Sequence, residues 1–444
     1  MKVEDFLNEK LVNYASYDNI RSISSCIDGL KNASRKILYT VHEKKIKEKI
    51  KVSQLSSKCA EFSDYLHGDV SLQGVIVTLG QDYAGTNNLP LLKKYGNFGT
   101  RSSQKSSAPR YIFAKGSDEF FELFKYEDDS ILEEQYFEGY KIEPKFYVPT
   151  LPMILINGSE GISTGFSQKI LPRNISNIKK YLIEKLKSKD SDIKLLDPFI
   201  NGFNGSIQLN SECSDIRNKW RISGVIEHIK SNVYLIKEIP YQYELTEYIA
   251  ILDELKDSNK ILRYTNESDG NNSLQFKIWM PRDYVYTDKL YETLKLIKNV
   301  TENYTSIDEN NKIREFTNSK DLIDYYINVK LKYIEKRKLY LIDRYNYDLS
   351  VLNNRLRFIK MYIDGKITVH MKSKSDIEEQ LKTLNFMKVD DSYNYLINMP
   401  LYSLTLEKIQ TLNNDISSLK EKVDILKSQS AQDIWLNEIK HFKG

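Results

Sequence analysis

Lys105-Ser-Ser-Ala-Pro-Arg110-Tyr111-Ile-Phe-Ala-Lys115 is a run of small residues and cations that closes on an arginine followed by a tyrosine. That pair suits attack on a phosphodiester. A free phenol titrates near pH 10, so about one in a thousand is phenolate at neutral pH, and ionising it costs about 4 kcal/mol. Neighbouring positive charge or a metal must supply that energy. Arg110 is equipped to do so, because a guanidinium stays charged and can grip a phosphate through two parallel N–H bonds. The chain has 31 tyrosines, however, so Arg-Tyr alone means little. Packing is the ordinary fate of a tyrosine, and the surroundings must decide.

Upstream, apolar spacing predicts a helix from Phe6 to Ala15 that ends near Arg21. The turn signal Asp28-Gly29-Leu30 leads into a second helix, Ala33 to Val41, with Arg35 and Lys36 on one side. A basic loop, Lys44 to Lys51, follows. Two more helices are expected, from Val52 to Phe62 and from His67-Gly68-Asp69 through Leu79. Arg110 to Phe113 is β-prone. Three short helices, basic connections and a strand resemble a helix-turn-helix or winged-helix DNA-binding domain.

Charge points the same way. The net charge is only +4, but residues 1–117 hold 18 Lys/Arg against 11 Asp/Glu, and residues 118–145 hold 10 Asp/Glu against 3 Lys. A basic head that stops just past Tyr111 is where nucleic acid would lie, although clustered solvated faces produce the same count. No apolar run approaches the roughly 20 residues of a membrane span, and no signal peptide opens the chain, so no membrane partner is expected. Cys26, Cys59 and Cys213 lack metal-ligand spacing. They argue for a reducing, cytoplasmic setting and against a zinc site.

Residues 176–310 alternate β-prone runs (220–226, 232–237, 274–279) with helical stretches such as 244–255, an α+β layout. The last third is more regular. Ile342, Tyr345, Leu349, Leu352, Leu356, Ile359 and Ile363 step by 3 and 4, as do Ile409, Leu412, Ile416, Leu419, Val423 and Leu426. Both are coiled-coil seams, and the residues between them suffice for a small tip joining an antiparallel pair.

Several segments, in order, are similar to the DNA breakage-reunion subunit of type IIA DNA topoisomerases. They are Arg21-Ser-Ile, Asp28-Gly-Leu-Lys31, Tyr65-Leu-His67-Gly-Asp69, Gly96-Asn-Phe-Gly99, Ala108-Pro-Arg110-Tyr111, Pro152-Met-Ile-Leu-Ile-Asn157-Gly and Gly161-Ile162. The likeness is dense over residues 10–175 and looser in the last third. Lys51-Val-Ser-Gln-Leu55 and Gly96-Asn-Phe-Gly-Thr-Arg101 lean toward the eukaryotic and T-even phage branch, and a chain this short looks most like the medium subunits of the phage enzymes. The resemblance implies an α+β multidomain fold: an N-terminal arm and winged-helix domain (1–150), a tower domain (151–310), and an antiparallel coiled coil with a helical dimerisation tip (311–444).

The same resemblance implies roles. Tyr111 would attack one DNA strand to form a 5′-phosphotyrosine bond, with Arg110, Arg21 and His67 at the reacting phosphate. Ile162 would wedge between base steps and kink the duplex. Lys31, Arg35, Lys36, Lys93, Lys94, Arg101 and Lys105 are candidate phosphate contacts. Tyr65 stands where the pattern has a histidine, which leaves one acid/base partner open. No Gly-x-x-x-x-Gly-Lys and no Asp-x-Asp after a strand is present, so no metal site is expected here. ATP and Mg2+ are expected on a large ATPase/TOPRIM partner subunit, joined to a homodimer of this chain and to double-stranded DNA. The competing expectation is a non-enzymatic protein that bridges duplexes with its winged helix and coiled coil. Recombinases and relaxases also use tyrosine, but through scattered Arg/His sets or histidine-metal triads.

Overall fold

The computed structural model describes residues 3–187, 196–210, 218–281, 288–400 and 405–444. Cys213 lies outside them. The chain forms two compact units, Met1–Lys330 with Leu436–Gly444, and Leu331–Trp435.

The first unit opens with α1 (Val3–Asp5), a π-helical turn (Phe6–Leu11) and α2 (Val12–Ser22). The helix ends at Ser22, next to the expected end at Arg21. Next come α3 (Asn32–Glu43), β1 (Ile50–Lys51), α4 (Val52–Ser63), α5 (Asp69–Gly80), β2 (Leu92–Tyr95) and β3 (Phe113–Gly116). The three helices pack together, and the strands form one antiparallel sheet in the order β1-β3-β2. Ile37, Leu38, Val41, Leu55, Leu72 and Ile76 are fully buried, as their helical spacing requires. The strand begins at Phe113, so Arg110 and Tyr111 sit in the turn before it and not in the strand itself.

Beyond β3 the chain adds α6 (Asp118–Leu123), the hairpin β4–β5 (Gln135–Phe137, Tyr140–Ile142), α7 (Met153–Ile156), the hairpin β6–β7 (Ser159–Ser163, Phe166–Ile170) and α8 (Ile175–Lys187). An α+β region follows. β8 (Ser206–Leu209), β9 (Lys219–Ser223) and β14 (Ile297–Thr301) form one sheet. β10 (Val225–Lys230), β11 (Val233–Glu238), β12 (Arg263–Asn266) and β13 (Phe276–Trp279) form another, in the order β10-β11-β13-β12. Helices α9 (Leu245–Asp257) and α10 (Asp288–Thr293) contribute Tyr248, Leu252 and Leu290 to a core with Tyr234, Ile236, Phe276 and Ile278. The hairpin β15–β16 (Tyr304–Ile307, Ile313–Phe316) completes the strands. Arg173 and Glu302 pair fully buried, with Trp220 Nε1 and the Tyr304 hydroxyl donating to the same carboxylate.

The second unit is built on α11 (Ser319–Ile363), which begins in the first. Its 45 residues extend about 68 Å at 1.5 Å each. After α12 (Lys374–Thr383) and α13 (Asn394–Ile397), α14 (Leu406–Ser428) returns, followed by α15 (Ala431–His441). Leu349, Ile416 and Val423 are the buried centre of a seam that also includes Ile342, Tyr345, Leu352, Leu356 and Leu419. Lys338 donates to the Gln429 carbonyl at 2.8 Å, while Leu352 and Arg355 line one cavity with Lys408 and Leu412. Early α11 therefore meets late α14, an antiparallel pair. Ile363 leaves the expected seam and is 53% exposed, being the last residue of its helix. Phe358, Ile367, Ile377, Leu381 and Leu396 form a separate tip core. Among the described residues no helix is long and apolar enough to cross a membrane, and no group of three or more His, Cys, Asp and Glu could hold a metal ion.

Candidate functional site

Tyr111 stands on a braced turn. Its N–H bonds the Ala108 carbonyl at 2.9 Å, and two N–H groups at the start of α4 bond carbonyls of the same turn: Ser53 to Pro109 (3.2 Å) and Val52 to Ile112 (3.0 Å). Donors that a helix N-terminus leaves unsatisfied thus hold the turn in place. Ile112 is buried against Gly96, where a Cβ would stand 2.9 Å from its Cγ2. Ser107 N–H bonds the Asn97 carbonyl at 3.0 Å, so the Gly96-Asn-Phe-Gly stretch clamps the segment leading to the turn. The Tyr111 side chain is 67% exposed, and the Arg110 guanidinium lies 5.0 Å from its ring centroid.

His67 lies between α4 and α5, and α2 reaches it from the side. Tyr17 Oη and His67 Nε2 are 2.9 Å apart, and the Tyr65 ring meets the imidazole edge-on at 5.4 Å. Desolvation first, and then the charge of Arg21, hold the imidazole below its ordinary pKa of 6.5. The ring is therefore mostly neutral at pH 7 and able to take a proton. Tyr17 and Arg21 are one helical turn apart on α2.

The same helix positions Ile162. Asp18 accepts from the Thr164 N–H and hydroxyl, both at 2.8 Å, and the Ser163 hydroxyl donates to Asn19 Oδ1 at 2.6 Å. The two Thr164 bonds, the hydroxyl's first, hold the Asp18 carboxyl below the usual range. A Cβ at Gly161 would stand 2.3 Å from the Ser22 carbonyl, so only glycine lets β6 approach α2 this closely. Ile162 projects 80% exposed from the docked hairpin. Tyr17, Asp18 and Asn19 escape a reading of the sequence. The available signal is a run of hydrogen-bonding residues just before Arg21, in a helix otherwise read for its apolar spacing.

Arg21, His67 and Ile162 thus gather around α2, whereas Arg110 and Tyr111 sit at the N-terminal end of α4. His67 follows the other end of that 12-residue helix, which is about 18 Å long. Within one chain the two groups of candidate residues therefore lie at opposite ends of α4.

The cations divide into two sets. Lys93, Lys105 and Arg110 are exposed, and Lys94 pairs with Asp82 at 2.5 Å. Lys31 donates to the Glu160 carbonyl at 2.7 Å, and burial lowers its pKa. It lines a cavity of about 660 Å³ with Thr78, Asn157, Glu160, Lys169 and Gln242. Of the seven candidate phosphate contacts, Arg35, Lys36 and Arg101 are buried and their charges are used internally. Arg35 grips Asp28 through two bonds of 2.7 and 3.0 Å, and that carboxylate also accepts from the Leu30 and Tyr147 N–H groups. Lys36 pairs with Glu143 at 2.8 Å and donates to the Ser63 carbonyl. Arg101 donates to the Pro240 and Tyr243 carbonyls.

Residues 21–440 match the family of the DNA gyrase/topoisomerase IV A subunits. The chain is 31% identical over 454 residues to the mitochondrial DNA topoisomerase 2 of Dictyostelium discoideum, covering 99% of this chain and 35% of that protein. It is 29% identical over 501 residues to DNA topoisomerase 2 of Saccharomyces cerevisiae, covering 99% and 34%. It therefore spans about a third of the length of these relatives. Its fold is similar to the DNA-binding, cleavage and re-ligation domain of Plasmodium falciparum topoisomerase II, with a TM-score of 0.90, 30% identity, and coverage of 99% of this chain and 64% of that one.

Proposed function

The chain belongs to the family of the DNA gyrase/topoisomerase IV A subunits, and from that premise we propose that it cleaves and rejoins DNA within an ATP-dependent type II topoisomerase. The observation that carries this is the exposed phenol of Tyr111 on a turn pinned to α4, with Arg110 beside it. The Tyr111 oxygen attacks a backbone phosphorus in line. A Tyr–O–P bond forms, the P–O3′ bond breaks, and the 3′-oxygen leaves as a hydroxyl after taking a proton. The phosphotyrosine conserves the energy of the broken bond, so the 3′-hydroxyl can reverse the step without cofactor hydrolysis. Arg110 and Arg21 offset charge on the phosphate, His67 handles a proton, and Ile162 opens a base step.

The separation of the two groups supports a symmetric dimer in which Tyr111 and Arg110 of one protomer meet the second copy's Arg21 and His67. Each protomer then cuts one strand, and a second duplex passes through the break. In this proposal residues 1–150 are an arm and winged-helix domain, 151–310 a tower, and 311–444 a stalk ending in a dimerisation gate. Arg110 beside Tyr111, and Tyr17, Tyr65 and Arg21 beside His67, are cations and neutral groups that suit phosphate oxygens better than a divalent cation. Mg2+ and ATP are accordingly assigned to an ATPase/TOPRIM large subunit, the arrangement of the T-even phage enzymes, working in the cytoplasm.

The test mixes the chain with that partner, Mg2+ and end-labelled duplex, and quenches with detergent. A covalent 5′ adduct lost in Tyr111→Phe is expected. DNA binding with no adduct would instead favour a non-enzymatic bridging protein.

A further inference from the structure

We infer that Tyr17 is a positioning residue for His67: its hydroxyl occupies Nε2 of the imidazole and leaves Nδ1–H as the group that meets the leaving 3′-oxygen of DNA. The inference rests on the proposed cleavage reaction and gives a role to a side chain that the reaction as stated leaves unused.

The first observation is how the imidazole is partnered. Among the described residues, the only hydrogen bond to the His67 ring is that of Tyr17 Oη, 2.9 Å from Nε2. An acid/base histidine is ordinarily oriented by a carboxylate or a carbonyl. Of the described histidines, only His42 pairs with a carboxylate. Tyr65 meets the His67 ring edge-on, with the planes 72° apart, and supplies a wall but no hydrogen bond.

The second observation is that both partners are held by their own segments. Asp18 and Asn19 tie α2 to the β6–β7 hairpin through Thr164 and Ser163, and the Ser22 hydroxyl donates to Asp18 at 3.3 Å. Tyr17 therefore sits on a fixed stretch of helix, yet its side chain is 54% exposed. A ring so exposed gains little from burial, and what it contributes is the hydroxyl. On the other side, α4 ends at Asp64 in the left-handed conformation, φ +51°, and the Tyr65 N–H bonds the Ala60 carbonyl at 3.2 Å. Residues 64–68 alone join α4 to α5, which keeps His67 close to both helix ends.

The direction of the bond follows from the groups. A neutral imidazole has one N–H and one bare nitrogen. A phenolic hydroxyl donates more strongly than it accepts, because its lone pair is shared with the ring. Tyr17 therefore donates to Nε2, and the ring proton resides on Nδ1. A carboxylate in this place would stabilise the imidazolium, whereas a phenol brings no charge at neutral pH. That agrees with the desolvation and the Arg21 charge, which already disfavour the charged ring. As the P–O3′ bond breaks, Nδ1–H gives its proton to the 3′-oxygen and Nε2 takes the Tyr17 proton. The ring ends neutral, as it began. The proton passes from a phenol to a more basic alkoxide, and the phenolate is left one helical turn from Arg21. Water carries the proton released by Tyr111 back to the exposed Tyr17, and rejoining reverses each transfer.

The test is single-turnover cleavage of end-labelled duplex by the full chain with its ATPase/TOPRIM partner and Mg2+. Tyr17→Phe keeps the ring and removes only the hydroxyl, so its melting temperature should match that of the unsubstituted chain. Its cleavage rate should fall about tenfold or more, within the roughly 10²–10⁴-fold loss expected of His67→Ala, with DNA affinity unchanged. The double variant should cleave no more slowly than His67→Ala alone, because residues acting through one group are not additive. NMR of the chain with isotope-labelled histidine should find the His67 proton on Nδ1, and Tyr17→Phe should shift it toward Nε2. A Tyr17→Phe rate equal to the unsubstituted one overturns the inference. Additive losses in the double variant also overturn it, by placing Tyr17 on DNA directly, as does an unsubstituted ring already protonated at Nε2. So does an adduct that survives Tyr111→Phe and is lost in Tyr17→Phe, which would make Tyr17 a nucleophile. No adduct from the unsubstituted chain removes the proposed function and this inference together. An adduct with an unchanged Tyr17→Phe rate removes only this inference.

Discussion

At the residue scale the site depends on which charges are free and which are already used. Arg21 helps keep the His67 imidazole below 6.5, so neutral His67 predominates at pH 7. Cleavage that needs the neutral ring should therefore persist at 6.5 and fall only at lower pH. Removing Arg21's charge with Arg21→Gln should move the acid limb upward, toward 6.5, even as the overall rate falls. A pH–rate profile with an NMR titration of His67 checks this, and a limb that stayed put or moved to lower pH would refute it. Arg35 belongs to the other set. Arg35→Ala leaves Asp28 buried without its counter-charge, a change that typically costs about 3–5 kcal/mol. Denaturant titration should show that loss; an intact fold with only DNA affinity reduced would return Arg35 to the phosphate contacts.

At the scale of elements, α2 does more than its place at the edge of the chain suggests. It holds the β6–β7 hairpin through Asp18 and Asn19, and contacts Gly161 through the Ser22 carbonyl. A methyl at Gly161 cannot fit without moving one of them. Gly161→Ala should therefore cost about 1–3 kcal/mol by overpacking and displace Ile162, so that DNA bending measured by FRET is lost while adducts at a pre-kinked site survive in part. Bending equal to that of the unsubstituted chain would show that the hairpin positions Ile162 without α2. The element pattern also explains the clearest agreement between sequence and structure. The 3-and-4 steps of α11 and α14 specify a seam wherever the helices meet, and Leu349, Ile416 and Val423 are buried there.

At the scale of the whole molecule, α4 sets the question, because its length separates Tyr111 from His67. A heterodimer of Tyr111→Phe with His67→Ala discriminates the arrangements. If sites form across the two-fold axis, one site contains both defects and the other none, so the heterodimer should nick one strand at close to the normal rate. If each site lies within one protomer, both are impaired and nicking should fall with each.

The sequence by itself determined the helices, the α+β middle and the coiled-coil pair, because apolar periodicity reports which face must leave water. It also marked Tyr111, Arg110, His67, Arg21 and Ile162 for attention, because motif order survives without coordinates. It could not separate Lys93 from Lys36. Both are cations in a basic head, and only the tertiary structure brings Glu143 against one and open solvent against the other. Nor could it find Tyr17 beside His67, 50 residues away, or Lys93 facing Lys115 across a sheet. Those pairings follow from helix docking and strand register, which arise from the packing of the whole chain.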